Sequence, residues 1–529
     1  MNEGTLAARV LDALVREDYG GLRRFVDGDV LALPDGPRVR LAGDARLAGD
    51  DQPSRAGMHP GFLSNLVVDP SQGLRLDDVL AVVRRLADPR DDVAAFEREC
   101  HEALATALRH EAAQPGVVQR LARVPEELRR GPGTYYETLA AYTDHPVHPT
   151  SRCRIGLNEK ELKSYAPEFA PTFQMRWAAV PRERVTVGGV RPDWWPDDED
   201  LFPVHPLTVP DVEDVRLVPE PYLTVAPTLS MRTVAVDGLT HLKVPLTTST
   251  LGLRNRRTIV PRTLPDGALA ERLLRHVLEQ EPGLPILLAD EQTYGHAGSP
   301  LLGYLVRRFP PETARAHVVP VAGLLAEAPD GRCVIEQWDV PTLFGAYLDA
   351  LFTWNVALFR YGIALEAHQQ NVSLVVGDDG LKLLLKDYDG TLVHSDGAFS
   401  DPAFGGGARF QDARMVTRDR EALARVFVTI TLHLCAAAPA FGLAGRGLLP
   451  LPTGLAMVRE RLDAALGPQD TFLRSRTLDA GALPAKAMVT AGTLVDKART
   501  GSADINKHYG PPGPNYLHQP RDDRDDTCC

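Results

Sequence analysis

The chain has 529 residues, of which 44% are hydrophobic and 24% charged, and its formal net charge is -12. This length allows a large core divided among several subdomains, and the negative charge disfavours general nucleic-acid binding. The N-terminus carries an acid early and no long apolar core, which excludes a secretory signal, and no apolar run approaches the roughly 20 residues of a membrane span. The six cysteines form no CxxC pair. We therefore expect a cytoplasmic protein without a membrane or nucleic-acid partner, and a homodimer is left open.

Residues 1–143 are predicted to be mainly helical. Apolar side chains recur at three- and four-residue steps from Leu76 and again from Val93, with a break at residues 87–92. Residues 144–340 are rich in proline and in short β-branched runs, and the Asp237-Gly238 pair between two of these runs predicts a hairpin. The middle of the chain should therefore be an antiparallel sheet with long loops.

Residues 341–505 are predicted to be helical again, apart from one hairpin. The stretch from Pro341 to Gly362 is apolar on nearly all sides, which predicts a buried helix, and residues 420–438 predict a later one. The tail, residues 506–529, is proline-rich and then charged. We expect it to be poorly ordered, unless its YGPPGPNYL stretch packs back on the body.

The hairpin stretch EAHQQNVSLVVGDDGLKLLLKDYDG carries polar clusters at both ends. If residues 378–379 form a two-residue turn, Asn371 faces Lys386, and Asp387 lies one step further along. An Asn carbonyl and an Asp carboxylate at this position would suit Mg²⁺, which takes few protein ligands together with water and phosphate oxygens. The alternative is a solvated hairpin mouth, since Asn and Asp are common at strand ends.

A second polar cluster is HPVHPTSRCR at residues 145–154. Its prolines fix the backbone, so that His148, Arg152 and Arg154 can all donate to a phosphate or carboxylate. Zinc is disfavoured because the histidines have no third ligand nearby. A rigid surface loop is the remaining alternative.

A third cluster, residues 230–257, is basic and rich in hydroxyl groups. Such a patch suits a nucleoside triphosphate or a polycarboxylate, and the alternative is a solvated strand face. No GxxxxGK[ST] motif is present, so a P-loop is excluded.

Taken in order, these clusters resemble the IucA/IucC-type siderophore synthetases, which act without a nonribosomal peptide synthetase (NIS synthetases). The resemblance rests on seven stretches between about residues 140 and 390: HPVHPTSRCRIGL, SYAPEFAPTFQMRWAAV, FPVHP, APTLSMRTV, HLKVPLTTSTLGLR, YGIALEAHQQNVSL and KDYDG. It implies an α+β, cupped-hand fold, with a helical thumb (1–143), β-rich fingers (144–340) and a mainly helical palm (341–505).

The resemblance also implies a function in iron acquisition. An ATP-dependent ligase would adenylate a carboxylic acid such as citrate and condense it with an amine or a hydroxyl group, releasing AMP and pyrophosphate. ATP and Mg²⁺ are the implied cofactors.

Site residues are implied by position in the matching motifs. ATP contacts are implied for Ser230, Arg232, Thr233, Lys243, His148, Arg152 and Gln370. Catalytic or substrate contacts are implied for His368, Arg254, Thr250 and Lys386. Magnesium contacts are implied for Asn371, Asp387 and Glu366. His368 is open as either a base or a donor to the carboxylate.

Two other functions are left open. A kinase-like phosphotransferase would use the Asn and Asp of HQQN and KDYDG for magnesium, although no catalytic-loop Asp precedes that Asn. A catalytically silent, carboxylate-binding relative is the other alternative. Departures from the family pattern bear on activity and substrate choice: Arg152 stands in place of Lys, Lys386 in place of Arg, and Leu207-Thr208 in place of Trp-Gln.

Overall fold

The structure is a computed structural model that describes residues 1–33, 36–42, 59–196, 201–210, 212–397, 409–501 and 507–518. Helices and sheets both contribute to the core, as the predicted α+β class requires. Short 3₁₀ segments connect several of them, at Tyr19–Phe25, Pro70–Gln72, Pro167–Phe169, Arg182–Arg184, Pro311–Arg315, Val321–Gly323, Val334–Gln337 and Ala413–Met415.

The N-terminal region contains both predicted helices. Its helices are Glu3–Arg16, Leu76–Leu86, Val93–Ala122, Glu126–Arg129 and Tyr135–Ala140. The Asp92 carboxylate, at the end of the predicted break, accepts a hydrogen bond from Ala95 N at 3.0 Å and so caps the third helix. The prediction missed a small antiparallel sheet in this region, in the order Val26–Asp27, Val30–Ala32, Arg38–Ala42 and Val67–Val68. Three of these strands have only two or three residues, too few to give a period-2 pattern, whereas Arg38–Ala42 does alternate.

The middle region contains the predicted antiparallel sheet. Its strand order is Phe173–Gln174, Thr224–Pro227, Thr233–Ala235, Thr240–Lys243, Gly303–Arg308, Asp290–His296 and Thr186–Gly188. A smaller sheet follows the order Leu201–Val204, Arg176–Ala179 and Arg216–Leu217. The helices here are Glu159–Tyr165 and Thr263–Gln280. The predicted Asp237-Gly238 hairpin is confirmed, with Thr233 paired to Lys243.

The second predicted hairpin has the expected register. Strands Val372–Gly377 and Gly380–Leu385 pair Gly377 with Gly380, and Lys386 N donates to Asn371 O at 3.1 Å. These strands lie at the centre of a sheet in the order Ile286–Leu288, Gly380–Leu385, Val372–Gly377 and His317–Pro320. The sheet therefore joins strands from both sides of residue 340, and this brings the hairpin mouth beside the middle region.

The remaining core is helical. Val340–Arg360 packs against the hairpin, and further helices are Arg420–Val426, Phe427–Ala437 (π), Ala438–Gly445, Leu451–Ala465, Thr471–Arg474, Thr490–Leu494 (π) and Lys497–Thr500. A small sheet has the order Ile363–Ala364, Leu392–His394 and Val416–Thr417.

Two helices of this core are long and apolar enough to cross a membrane. They are Val340–Arg360 and Arg420–Gly445, and 78% and 89% of their most apolar windows are buried inside the protein. The sequence expectation that no segment approaches this length was therefore wrong. Burial on all sides is typical of a central core helix as well as of a membrane span.

The tail does not follow the main expectation. Gly513–Pro514 pairs with Ala482–Leu483, and the Leu517 side chain is 2% exposed. The Nδ1 atom of His433 lies 2.7 Å from the Tyr516 hydroxyl oxygen. Residues 507–518 thus pack back on the body, which was the stated alternative, while residues 519–529 lie outside the described residues.

Candidate active site

A cleft of about 310 Å³ lies where the middle region meets the hairpin mouth. Most of the residues singled out from the sequence line it. They are Arg152, Ser230, Arg232, Thr250, Glu366, His368, Gln370, Asn371 and Asp387. The three polar clusters, far apart along the chain, therefore meet in one cavity.

Asp387 is the most constrained acid of the cleft. Its Oδ1 accepts from Lys243 Nζ at 2.5 Å, and the same ammonium donates to Asp389 Oδ2 at 3.1 Å. The backbone of Asp387 is left-handed, with φ of 68°, and its N–H donates to Glu291 Oε1 at 2.9 Å. A non-glycine residue adopts this conformation at a cost of about 1–3 kcal/mol, so the surrounding contacts hold it in place.

The charges around Asp387 keep it ionised. Burial alone would raise the pKa of this carboxyl, but the Lys243 ammonium and the guanidinium groups of Arg307 and Arg232 outweigh burial and hold the pKa well below its usual range. Arg307 is itself buried, and its Nε donates to Glu291 Oε1 at 2.5 Å. The carboxylate therefore faces the cleft as a fixed negative charge.

The same end of the cleft offers hard oxygen donors to a cation. Asn371, Asp387 and Asp389 all line it. Among the described residues no group of three or more His, Cys, Asp or Glu is arranged to hold a metal ion, so a cation here would take its other ligands from water and from a bound anion. Glu366 fits less well, because its Oε1 accepts from Lys486 Nζ at 2.9 Å.

One wall of the cleft carries two arginines that acidic side chains hold in place. Arg152 Nε donates to Asp144 Oδ1 at 2.7 Å, and Arg154 Nη2 donates to Glu168 Oε1 at 2.9 Å. All four residues line the cleft. Because each guanidinium has a fixed carboxylate partner, its remaining N–H groups are oriented before any ligand binds.

The positive charges of a second pair of arginines, Arg232 and Arg257, have no carboxylate partner within salt-bridge distance among the described residues. Arg232 Nη1 donates to Thr258 O at 2.6 Å, whereas the buried Nε of Arg257 has no hydrogen-bond partner among the described residues. Burial, together with the neighbouring Arg232 charge, lowers the pKa of Arg257 to about 9. Arg257 therefore remains cationic at neutral pH, in a position where an anion would relieve both unfavourable effects.

The two histidines of the cleft are arranged as donors. His368 Nδ1 accepts from Gln370 N at 3.4 Å, and His145 Nδ1 accepts from the backbone N–H of Val147 and of His148, at 3.1 and 3.0 Å. Burial lowers the pKa of both imidazoles. A neutral ring whose Nδ1 accepts must carry its proton on Nε2, so we infer that both rings offer an Nε2–H group.

Lys386 does not line the cleft, although its position in KDYDG implied a catalytic contact. Its Nζ donates to Glu137 Oε1 at 2.7 Å, and both side chains are 7% exposed. The other oxygen of Glu137 accepts from Leu229 N at 3.0 Å. The ion pair therefore fixes the loop before Ser230, and Lys243, at the end of strand Thr240–Lys243, contacts Asp387 instead.

Arg254, His148, Thr233 and Lys243 also lie outside the cleft lining. Arg254 Nη1 donates to Ala491 O at 2.9 Å and so binds a C-terminal segment. His148 is buried, with its Nδ1 3.1 Å from the Thr150 hydroxyl. Direct ligand contacts by Arg254 and His148 are therefore not supported, whereas Lys243 acts on the cleft through Asp387.

Sequence reasoning missed Lys486, which lines the cleft from the C-terminal part of the chain. Its segment pairs with the tail: Lys486 and Tyr509 form a β-bridge, and Ala487 N donates to His508 O at 3.0 Å. No local sequence pattern predicts that Lys486 lines the cleft, because it reaches the cleft only through the pairing of its segment with the tail. Arg257 belonged to a noted basic stretch, but only burial distinguishes it from its exposed neighbour Arg256.

Two family models match the chain. One is described as the IucA / IucC family and matches residues 134–326, and the other, described as a ferric iron reductase FhuF-like transporter, matches residues 342–498.

Relatives of known name match about half of the chain. Staphyloferrin A synthase of Staphylococcus aureus is 23% identical (49% of this chain, 53% of the relative), and staphyloferrin B synthase of the same organism is 25% identical (51% and 55%). Aerobactin synthase of Escherichia coli is 25% identical (47% and 54%). The chain thus spans about half the length of the curated relatives it matches.

Solved structures match nearly the whole chain. ATP-bound aerobactin synthetase IucA from Klebsiella pneumoniae has a TM-score of 0.67 at 17% identity, over 98% of this chain and 99% of that one. The petrobactin biosynthesis protein AsbB from Bacillus anthracis has a TM-score of 0.68 at 17% identity, over 98% and 96%. These matches confirm the fold predicted from the ordered motifs.

Proposed function

We propose that this chain, a member of the IucA/IucC family, is an ATP-dependent ligase that joins a carboxylic acid to an amine or an alcohol through an acyl adenylate. One observation carries the proposal. Incompletely compensated guanidinium groups, Arg232 and Arg257, line the same cleft as the ionised carboxylate of Asp387 and the amide of Asn371. A nucleoside triphosphate with its magnesium ion needs both kinds of group side by side.

The charge distribution suits two anionic reactants. A triphosphate and a carboxylate repel one another, and the repulsion is strong in a cleft that excludes water. Arg152, Arg154, Arg232 and Arg257 supply positive charge around the cavity. Holding the two reactants in contact also removes an entropic barrier, which is worth about 7–11 kcal/mol in well-oriented systems.

The proposed reaction has two steps. A carboxylate oxygen of the acid attacks the α-phosphorus of ATP, and pyrophosphate leaves with the electron pair of the broken P–O bond. The nucleophile then attacks the acyl carbon, and AMP leaves. When bound, Mg²⁺ supplies neutralisation of charge on the phosphate oxygens. Asn371 and Asp387 are the residues that would hold it, since both offer oxygen atoms at one end of the cleft.

The histidines act as hydrogen-bond donors in this proposal. With Nδ1 occupied by a backbone N–H, His368 and His145 present Nε2–H to the cleft and bind a carboxylate or a developing anion. A neutral imidazole in this tautomer has no free lone pair with which to remove a proton from the nucleophile. Of the two roles left open for His368, we favour that of donor.

The finer assignment is to siderophore synthesis from a polycarboxylic acid such as citrate. The names of the staphyloferrin and aerobactin synthases support it. ATP, Mg²⁺, the acid and the amine or alcohol are all part of the proposal.

Product analysis tests the reaction class. The protein is incubated with ATP, Mg²⁺ and a panel of polycarboxylic acids, with hydroxylamine as the trapping nucleophile. We expect a hydroxamate, AMP and pyrophosphate. ADP as the nucleotide product would indicate a phosphotransferase instead, and the absence of a hydroxamate with every acid would refute the ligase.

A pair of neighbouring variants tests the cleft itself. Arg257→Met removes a half-buried cation of the cleft, whereas Arg256→Met alters an exposed residue one position away. We expect Arg257→Met to raise the KM for ATP or acid at least tenfold and Arg256→Met to leave it unchanged. Equal behaviour of the two variants would contradict the assignment of the cleft as the active site.

A further inference from the structure

Glu99, on the long N-terminal helix Val93–Ala122, is a buried acid that the proposed mechanism does not use. It is 2% exposed, and in the described part of the chain no cation lies within salt-bridge distance of it. A carboxyl group buried without a cation costs free energy unless hydrogen bonds satisfy it, whereas an apolar side chain would fill the same space without that cost. The hydrogen-bond partners of Glu99 therefore indicate what the carboxyl group does.

The two oxygen atoms of Glu99 bind hydroxyl groups from two distant parts of the chain. The Thr150 hydroxyl donates to Oε1 at 2.5 Å, and the Thr493 hydroxyl donates to Oε2. Both threonines are buried. Thr150 lies 51 positions from Glu99 in the sequence and Thr493 lies 394 positions from it. One carboxyl group thus holds two remote segments at a fixed separation.

The Thr150 segment forms the wall of the cleft that carries Arg152. Thr150 lies two positions before Arg152, which lines the cleft, and its backbone oxygen accepts from Cys153 N at 2.9 Å. The Thr150 hydroxyl oxygen also lies 3.1 Å from His148 Nδ1, so the side chain is held from two sides. The direction in which Arg152 enters the cleft therefore depends on a turn that Glu99 holds in place.

The Thr493 segment supports the loop that carries Thr250, another residue of the cleft lining. The Thr493 hydroxyl oxygen accepts from Leu253 N of this loop at 2.8 Å. The two segments also pack backbone on backbone, because a Cβ atom added to Gly252 would lie 2.7 Å from Gly492 Cα. No side chain separates them at this point, so a shift of the Thr493 segment moves the loop with it.

We propose that Glu99 is a positioning residue of the cleft. Its carboxyl group holds Thr150 and Thr493, and through them it fixes the two walls on which Arg152 and Thr250 lie. Glu99 does not line the cleft itself, so it acts on the reactants only through these walls. The inference rests on the proposed ligase function for what the walls bind, which is the phosphate groups of ATP at Arg152 and the carboxylic acid at Thr250.

This role predicts a change in affinity rather than in chemistry. Every group that contacts ATP or the acid remains in a Glu99 variant, so the chemical step keeps its groups. The two walls adopt their binding position less often, and a site that is only fractionally formed loses apparent affinity by that fraction. An acid with a purely structural role would instead change the free energy of unfolding and leave the KM values of the folded protein as they are.

Kinetics of hydroxamate formation test the role of Glu99. Glu99→Leu removes both hydrogen bonds at similar volume, and Glu99→Gln keeps an acceptor and a donor for the two hydroxyl groups. We expect Glu99→Leu to raise the KM for ATP and for the acid by about fivefold or more, the factor of a single buried hydrogen bond. Its kcat should stay within about threefold of the wild type. Glu99→Gln should recover part of both KM values, and Glu111→Leu, the same change at a 64% exposed side chain of this helix, should alter neither. Unchanged KM values in Glu99→Leu would overturn the proposal.

The two threonines give separate results and carry the test if Glu99→Leu does not fold. Thr150→Val and Thr493→Val each remove one hydroxyl group and keep the shape of the side chain. We expect Thr150→Val to raise mainly the KM for ATP and Thr493→Val mainly the KM for the acid, while Thr493→Ser keeps the wild-type value. Because Glu99 acts through these hydroxyl groups, adding Thr493→Val to Glu99→Leu should raise the KM for the acid no further. Additive effects would refute the connection.

Failure of this inference and failure of the ligase function give different results. If the wild type forms hydroxamate and Glu99→Leu keeps its KM values, only the positioning role fails. If the wild type forms no hydroxamate with any acid, the ligase function fails, and the connection from Glu99 to the cleft is measured by hydrogen exchange in the full chain. Glu99→Leu should then speed exchange of the Leu253 amide by about fivefold or more. The Lys386 amide, which donates to Asn371 O in the hairpin, should exchange as in the wild type. An unchanged rate at Leu253 would refute the connection.

Discussion

Removal of the Lys386 ammonium should cost stability rather than chemistry. Lys386 Nζ lies 2.7 Å from Glu137 Oε1, and each side chain is 7% exposed. Lys386→Met keeps most of the side-chain volume and leaves the Glu137 carboxylate buried without its partner. Breaking one half of such a pair typically costs about 3–5 kcal/mol. With a denaturant slope of about 3 kcal/mol per M, the urea midpoint should fall by about 1 M or more.

Two further variants make this result specific. The double variant Lys386→Met/Glu137→Gln removes both charges, and it should recover most of the lost stability because an uncharged pair needs no compensation. Lys382→Met breaks an exposed pair with Glu312, whose side chains are 39% and 50% exposed. Such surface pairs contribute about 0–1 kcal/mol, so its urea midpoint should stay close to that of the wild type.

The activity of the folded variant decides between a structural and a catalytic role for Lys386. Below its unfolding transition, Lys386→Met should catalyse ATP–pyrophosphate exchange with a KM for ATP within about twofold of the wild type, since Lys386 does not line the cleft. A variant that keeps its urea midpoint and loses exchange would refute this reasoning and return Lys386 to the catalytic set.

Three other predictions follow from the same contacts. Asp387→Asn should lower pyrophosphate exchange by roughly 10²-fold, the order of loss typical of an electrostatic group at a reacting centre, and full exchange at saturating Mg²⁺ would contradict this. Arg254→Ala should raise the KM for the acid more than that for ATP, because Arg254 holds Ala491 in the segment after Lys486; equal effects on both would refute it. Burial lowers the pKa of His433 to about 4, so its neutral form is favoured in the folded protein. Its contribution, about 3 kcal/mol, should be complete above pH 6.5 and lost as the pH falls towards 4, and His433→Gln should flatten this dependence in pH-resolved unfolding.

The local structure around the candidate site could be predicted because it depends on neighbours in the sequence. The hairpin register followed from a two-residue turn, which fixes Gly377 opposite Gly380 and carries Asn371 to Lys386. The helix beginning at Val340 was predicted in the same way, from its apolar residues and from the glycine just after its end. Backbone hydrogen bonds of this kind join residues whose spacing can be read directly.

The ordered motifs also identified most of the cleft. Arg232, Thr250 and Asn371 line one cavity, although they come from different elements. Each motif alone was as well explained by a turn or a solvated strand. Their order along the chain carried the prediction, since a shared order implies a shared fold that brings them together.

The tertiary structure alone decided which cations serve the cleft. Lys243 contacts Asp387, whereas Lys386, one residue before that acid, pairs with Glu137 on the far side. Lys486 enters the cleft because the tail pairs with its segment. The direction of a side chain and the burial of its charge depend on contacts between residues far apart in the chain: Lys243 and Asp387 are 144 positions apart, and Lys386 and Glu137 are 249 apart. A local sequence pattern determines the hairpin, therefore, but not which ammonium group reaches its mouth.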